Sequence, residues 1–254
     1  MAEDAGKRMT AQARVAVVTG GARRLGRAIA LELAAAGYRV AITYRQSEPD
    51  ASRTVAELSG LGCEAAAFRM DVRDEASVSE AAAAVMERMG RVDALVNNAG
   101  VFAAAALEAM TAAEWDEAFA VNARGPMLVT RALLAELRRR RGRVVHLGSL
   151  GGGRAWSGYA HYCASKAALE ALTRGMAREF APEVSVNCVA PGWIAMEEAG
   201  VNPDAGAAAH FAAKTPMRRN GRAEEVAAAV RFFLTGPEFV TGQVMAVDGG
   251  LSLL

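Results

Sequence analysis

Short β-branched runs alternate with helix-period stretches along almost the whole chain, and this alternation limits the fold more than any other feature. Arg14–Thr19, Val40–Tyr44, Ala65–Met70, Ala94–Asn97, Arg143–Leu147, Val184–Val189 and Val244–Val247 read as strands. The stretches Leu25–Ala36, Asp50–Leu58, Ala76–Met89, Thr111–Arg141, Ser157–Ala181 and Ala223–Leu234 carry helical spacing, and Gly37, Gly60, Gly90 and Gly142 stand at or just beyond the ends of four of them. Thr111 with Glu114 three residues on predicts a capping box. The long helix it opens is expected to be continuous, with a bend. Strands and helices in strict alternation mean parallel strands joined by helical crossovers. The expected fold is therefore α/β, a doubly wound parallel sheet of about seven strands with helices on both faces, in one domain. Residues 1–13 are expected to be a flexible tail ahead of a domain spanning 14–254. Residues 193–221 lack clear periodicity and are expected to form a flap over a site.

The bulk properties exclude several functions. A chain that is 52% hydrophobic and 22% charged has ample material for a core. A net charge of +1 gives no electrostatic reason to bind nucleic acid or an anionic membrane. The longest stretch without Asp, Glu, Lys or Arg is the 14 residues Ala94–Leu107, short of the roughly 20 a membrane span needs. The first 13 residues carry Glu3 and Asp4 and hold no apolar signal-peptide core. Cys63, Cys163 and Cys188 are odd in number and widely spaced, so they read as reduced thiols in a cytoplasmic protein, with no metal-ligand pattern.

In a doubly wound sheet the first strand-to-helix turn is where a dinucleotide pyrophosphate binds. Here that turn is Thr19-Gly20-Gly21-Ala22-Arg23-Arg24-Leu25-Gly26. Glycine lets the backbone approach closely, and the helix N-terminus offers free N–H groups and a positive dipole. An acid at the end of strand two would hold the ribose 2′-hydroxyl of NAD. This strand ends Thr43-Tyr44-Arg45-Gln46-Ser47 and has no acid before Glu48. Arg45 and Ser47, helped by Arg23, are suited to a 2′-phosphate, which predicts NADP(H).

Tyr162 and Lys166 lie four residues apart in a helical stretch and so share a face. A phenol titrates near 10, too high for easy proton exchange at neutral pH, and a nearby cation lowers that value. A tyrosine tuned in this way gives a proton to a carbonyl oxygen or takes one from an alcohol. Tyr159 is the competing tyrosine, but the residue four further on is Cys163. His161 points to another helix face and is expected to be structural or substrate-facing; His146 is expected within a strand and His210 within the flap.

These features together resemble the short-chain dehydrogenase/reductase family over nearly the whole chain, and the resemblance implies a Rossmann-type fold. The first turn is similar to the family's T-G-x-x-x-G-x-G, with Arg24 in place of the middle glycine, a variant shared with pteridine reductases. Asp71-Val72 stands where the family holds adenine. Asn97-Asn98-Ala99-Gly100 matches its N-N-A-G, beside the adenine ribose. Asn122 matches the helix asparagine that supports the catalytic lysine, usually through water. Ser149 precedes Tyr162 by 13 residues, the family's usual separation for its serine. Pro191-Gly192 matches the motif beside nicotinamide, and Asp248-Gly249-Gly250 resembles the C-terminal signature.

The resemblance implies a carbonyl/alcohol oxidoreductase. Ser149 would position the substrate oxygen, Tyr162 would act as acid or base, Lys166 would lower the tyrosine pKa and hold the nicotinamide ribose, and Asn122 would keep a water beside Lys166. The implied cofactor set is Gly20, Ala22, Arg23, Arg24, Leu25, Tyr44, Arg45, Ser47, Asp71, Val72, Asn98, Ala99, Gly100, Tyr162, Lys166, Pro191, Gly192 and the Ile194 backbone, with no metal. Two departures stand out. Pteridine reductases commonly carry aspartate where this chain has Ser149, and Met196 replaces the threonine of the P-G-x-I-x-T run in many 3-oxoacyl-carrier-protein reductases. Trp193 suits a substrate wall or a core position equally. Arg138–Arg141 suits a solvated helix end, or a docking patch for an acidic acyl carrier. Reduction of a 3-oxoacyl thioester or other ketone, reduction of a dihydropterin, and silent NADP binding are the functions weighed. A homo-oligomer, dimer or tetramer, is implied by resemblance, and Ala164, Ala167, Ala168 and Ala171 would permit close helix packing.

Overall fold

The computed structural model describes residues 13–196 and 205–253. The expected tail therefore lies almost wholly outside the described residues, as does part of the expected flap. Seven parallel strands form one sheet in the order β3-β2-β1-β4-β5-β6-β9. These are β1 (Val15–Val18), β2 (Arg39–Tyr44), β3 (Ala65–Arg69), β4 (Ala94–Asn97), β5 (Arg143–Leu147), β6 (Ser185–Pro191) and β9 (Val244–Val247). A separate parallel pair joins β7 (Ile194–Ala195) to β8 (Gly221–Arg222). The helices are α1 (Arg24–Ala35), α2 (Glu48–Gly60), α3 (Glu75–Met89), α4 (Ala112–Phe119), α5 (Gly125–Arg140), the short α6 (Leu150–Gly153), α7 (Ala160–Phe180), α8 (Ala205–Lys214) and α9 (Ala223–Thr235).

Successive side chains of a strand point to opposite faces, and a parallel sheet is covered on both, so its central strands are apolar throughout. Val15, Val17, Leu95, Val144 and Val186 enter one buried layer with residues of α3, α5 and α7. Ala16, Val18, Val96, Val145 and Val189 enter the other, with residues of α1, α2 and α9. Strand order reverses between β1 and β4, which opens a crevice at their carboxyl ends where ligands of such sheets bind. Thr19 and Asn98 sit at that crevice.

Two expectations need correction. The stretch Thr111–Arg141 is two helices, α4 and α5, separated by a π-helical turn over Ala120–Arg124. The capping box at its start is present: Glu114 N–H donates to Thr111 Oγ1 at 3.2 Å and Thr111 N–H donates to Glu114 at 2.8 Å. The reason for the break is Pro126, which has no N–H for the Asn122 carbonyl and whose ring would clash with it in a regular helix. The described residues of 193–221 also hold more order than the sequence suggests. Trp193 stacks on Phe211 of α8 at 4.3 Å, and Gly221 N–H donates to the Trp193 carbonyl at 2.9 Å. Trp193 is thus packed within this segment. At the end of α5, Arg139 and Arg140 both pair with Glu136, and Arg138 lies over the Phe180 ring, so the arginine run covers its own helix end.

Candidate active site

The first turn is built around close backbone contacts. Gly20 has φ +62°, and a Cβ on Gly26 would fall 2.1 Å from the Gly20 carbonyl oxygen, so only glycine fits there. Thr19 Oγ1 accepts from the N–H groups of Asn98 and Ala99, each at 3.0 Å. The Asn98 amide in turn donates to the Thr19 and Gly20 carbonyls at 2.8 and 3.0 Å. The Asn98 side chain therefore braces the turn. Ala22 is buried and its carbonyl accepts from Thr54 at 2.9 Å. Helix α1 starts on Arg23 without a side-chain cap and with no acid in its first turn. Helix α3, by contrast, is capped by Asp74. A glycine cradle that a Cβ would fill, under an uncapped helix start, fits a dinucleotide pyrophosphate. Arg24 holds its backbone in the left-handed region at φ +53°, a conformation costly for a side chain other than glycine or asparagine.

At the tip of β2, Arg45 lies 3.8 Å from Glu117 of α4, and Ser47 is the N-cap residue of α2. Across β3, Arg73 grips both Asp71 and Glu117. The Arg73 guanidinium, helped by the Arg73 N–H, pulls the Asp71 carboxyl down to about 2. Val72 is buried against the start of α5, where a Cβ on Gly125 would come within 2.9 Å of it. Tyr44 is half-buried at the end of β2 and Leu25 at the start of α1. Sequence reasoning missed Glu117, because a helix 70 residues downstream of β2 gives no local sign of reaching it.

Ser149 follows β5 by two residues and caps α6, its Oγ accepting from Gly151 N–H at 3.1 Å. Burial pushes Tyr162 up to about 12, and the neighbouring Ser149 hydroxyl acts the other way. Lys166 follows one turn later on α7, its Nζ 5.9 Å from the Tyr162 ring centre. Nζ donates to the Leu147 carbonyl at 2.7 Å, and burial brings Lys166 down to about 8. Burial moves Tyr162 and Lys166 each toward its neutral form.

The Asn122 side chain is held within the protein: Oδ1 accepts from Val101 N–H at 2.9 Å, while Nδ2 donates to the Val101 carbonyl and to Ser165, each at 3.0 Å. The Asn122 carbonyl has no N–H partner at Pro126, four residues on. A Cβ on Gly100 would lie 3.3 Å from Asn122 Oδ1 and 3.7 Å from Lys166 Nζ, which places the loop after β4 against the same spot. Gly192 sits at the end of β6, donates to the Val247 carbonyl at 3.0 Å and packs on Asp248. Asp248 closes the C-terminal turn by accepting from Gly250 and Ser252 N–H groups.

His146 lies in β5 as expected, fully buried between Asn97 and Cys188 on the neighbouring strands. Thr173 donates its own proton to the Leu169 carbonyl, so His146 Nδ1 carries the hydrogen that reaches Thr173 at 2.9 Å. Burial and the Lys166 charge hold His146 down to about 3. His161 is buried as well.

A ring cluster that sequence reasoning did not foresee surrounds Tyr162. Phe102 stacks on Tyr159 at 4.5 Å and stands edge-on to Tyr162 at 4.8 Å. Trp156 lies nearly parallel to Tyr162 at 6.1 Å. The Ala105 N–H donates to the Gly158 carbonyl at 2.8 Å and ties the two loops together. Among the described residues, no group of three His, Cys, Asp or Glu gathers to hold a metal. Among the same residues, no helix is long and apolar enough to cross a membrane.

Comparison with known proteins agrees with this geometry. The family described as enoyl-(acyl carrier protein) reductase matches residues 20–252. A 3-oxoacyl-[acyl-carrier-protein] reductase from Synechocystis sp. is 38% identical over 243 residues, 94% of this chain and 97% of the relative. The solved short-chain dehydrogenase/reductase from Serratia marcescens is 35% identical, with a TM-score of 0.89 over 95% of this chain and 98% of that one. A blue fluorescent protein from a metagenomic library, solved in complex with NADPH, is 34% identical, with a TM-score of 0.86 over 94% and 97% of the two chains.

Proposed function

The chain belongs to the short-chain dehydrogenase/reductase family and is an oxidoreductase, and from that premise we propose that it reduces a ketone or aldehyde to the alcohol with NADPH, reversibly. The observation that carries the proposal is that Ser149 stands near enough to bear on the Tyr162 hydroxyl, with Lys166 one turn behind on α7. Ser149 and Tyr162 together hold the substrate oxygen, and Tyr162 delivers the proton to it. NADPH, held by the glycine turn and the crevice residues, would supply the hydride. Lys166 spends one of its three donors on Leu147, so two remain for ribose hydroxyls and a water on the Asn122 carbonyl. A phenol held near 12 stays protonated at neutral pH, the form that reduction needs, so the reverse oxidation quickens as pH rises.

The nucleotide choice rests on Arg45 and Ser47 at the end of a β2 that carries no acid. Arg23 and Arg24, at the pyrophosphate turn, add positive charge. The NADPH in the metagenomic neighbour supports the same choice. The β7–β8 pair and α8 form the flap. A homo-oligomer is the proposed assembly, and half-buried Ala164 and Ala168 on α7 suit close helix packing.

A dihydropterin reductase is the second reading, favoured by Arg24 at a strained left-handed position in the cofactor turn. The presence of Ser149 rather than aspartate weighs toward simple carbonyls. A complete Ser-Tyr-Lys-Asn set weighs against a silent binder. NADPH oxidation followed against 3-oxoacyl thioesters, dihydropterins, quinones and simple ketones separates these readings. Ketone or thioester turnover supports the first, pterin turnover alone supports the second, and no turnover above background leaves the silent binder.

A further inference from the structure

Resting on the carbonyl-reductase reading, we propose that Phe102, Trp156 and Tyr159 set the substrate class, and that the class is flat, conjugated ring ketones. These three rings and Tyr162 form one cluster. Phe102 and Tyr159 are parallel within 6°, whereas Trp156 stands at 90° to Phe102 and 89° to Tyr159. One face of Phe102 is taken by Tyr159, yet the side chain remains 55% exposed. A large ring is thus held open beside the proton donor. Trp156 also walls a cavity of about 610 Å³, lined further by Ala106, Leu107, Glu108 and Ala160. Tyr162 itself lines a separate cavity of about 340 Å³ with Val101, Ala103 and His161, and both volumes lie within the range of small-ligand sites.

The angles identify the ligand. Aromatic pairs prefer stacked or edge-to-face contact. A flat ring stacked on the exposed part of Phe102 would stand at the same 90° to Trp156 and 77° to Tyr162 as Phe102 does. A conjugated ketone carries its oxygen in the plane of the ring, at its edge. A saturated ring is puckered and has no π-face, so it gains only buried area.

The test compares 1-tetralone with trans-1-decalone, which share a skeleton but differ in flatness. Binding to the NADP+-loaded protein is read by calorimetry, and kcat/KM for NADPH-dependent reduction is read separately. The expected result is tighter binding of 1-tetralone by roughly tenfold. That preference should collapse in Phe102→Leu and in Trp156→Leu and persist in Phe102→Tyr, with the kcat/KM ratio between the ketones shifting in the same pattern. Equal binding of the two ketones by the wild type overturns the proposal, as does a preference unchanged in both leucine variants. If binding behaves as expected but neither these ketones nor the thioesters, dihydropterins, quinones and simple ketones of the wider screen turn over, the ring cluster keeps its role and the reductase reading fails.

Discussion

The Arg45 guanidinium lies 3.8 Å from the Glu117 carboxylate, so the cation assigned to the 2′-phosphate already has an acidic neighbour. The two side chains are 41% and 38% exposed, so their attraction is screened and weak. A phosphate dianion competes with Glu117 for the same charge. Removing Glu117 should therefore free Arg45. Glu117→Gln is expected to tighten NADPH by roughly two- to fivefold. Arg45→Ala should weaken NADPH by roughly tenfold or more, the worth of a charge-assisted hydrogen bond, while leaving NADH nearly unchanged. Fluorescence titration of both cofactors measures this. Equal losses for NADPH and NADH would remove Arg45 from the phosphate site.

Gly26→Ala tests the cradle. The added methyl would sit 2.1 Å from the Gly20 oxygen and 2.6 Å from the Asn98 amide, so the turn must open. Overpacking of this kind costs about 1–3 kcal/mol. The variant should melt earlier and bind neither NADPH nor NADH, whereas Gly153→Ala, which meets nothing within 4 Å, should do neither.

His146 governs the acid limb of stability. Its pKa falls from 6.5 in the unfolded chain to about 3 when folded. Between those values the unfolded chain binds a proton that the folded chain refuses, so stability drops as pH falls from about 6.5 toward 3. His146→Asn removes that titration. Urea unfolding at pH 7 and pH 4.5 should show a smaller loss in the variant than in the wild type; parallel losses would show that His146 is not the group responsible.

Lys166 places charge where it destabilises. Its folded pKa of about 8 lies below the ordinary 10.5, so folding carries a penalty below pH 8 that fades as pH rises toward 10.5. That penalty is roughly 3 kcal/mol, partly offset in a variant by the lost bond to Leu147. Lys166→Met is expected to be inactive yet more stable at pH 7 by about 1–3 kcal/mol, with the gain vanishing above pH 10. Denaturant titrations at the two pH values decide it.

The sheet was legible in the sequence because each of its strands is an apolar run bounded by turn residues, and Ala94–Asn97 and Val244–Val247 match residue for residue. Ser149 and Tyr162 could be paired from their spacing and family likeness, and Ser149 stands near enough to bear on the Tyr162 hydroxyl. The break before α5 was hidden because its cause, Pro126, sits inside a long helical period. Helix α8 was hidden because its alanines give little contrast between faces. The burial of Tyr162 and Lys166 was hidden for a different reason: spacing shows proximity, but desolvation depends on what the rest of the chain packs around the pair. Phe102 and Trp156 are 54 residues apart and meet only through the loops that flank the site.

The most direct measurement follows reduction of a ketone by NADPH carrying deuterium at the transferable position, in the wild type and in Tyr162→Phe. The account predicts deuterium on the new carbinol carbon in the wild type. In Tyr162→Phe it predicts turnover lower by roughly 100- to 10,000-fold with NADPH affinity unchanged. Undiminished turnover in Tyr162→Phe, or a product alcohol free of deuterium, would contradict it.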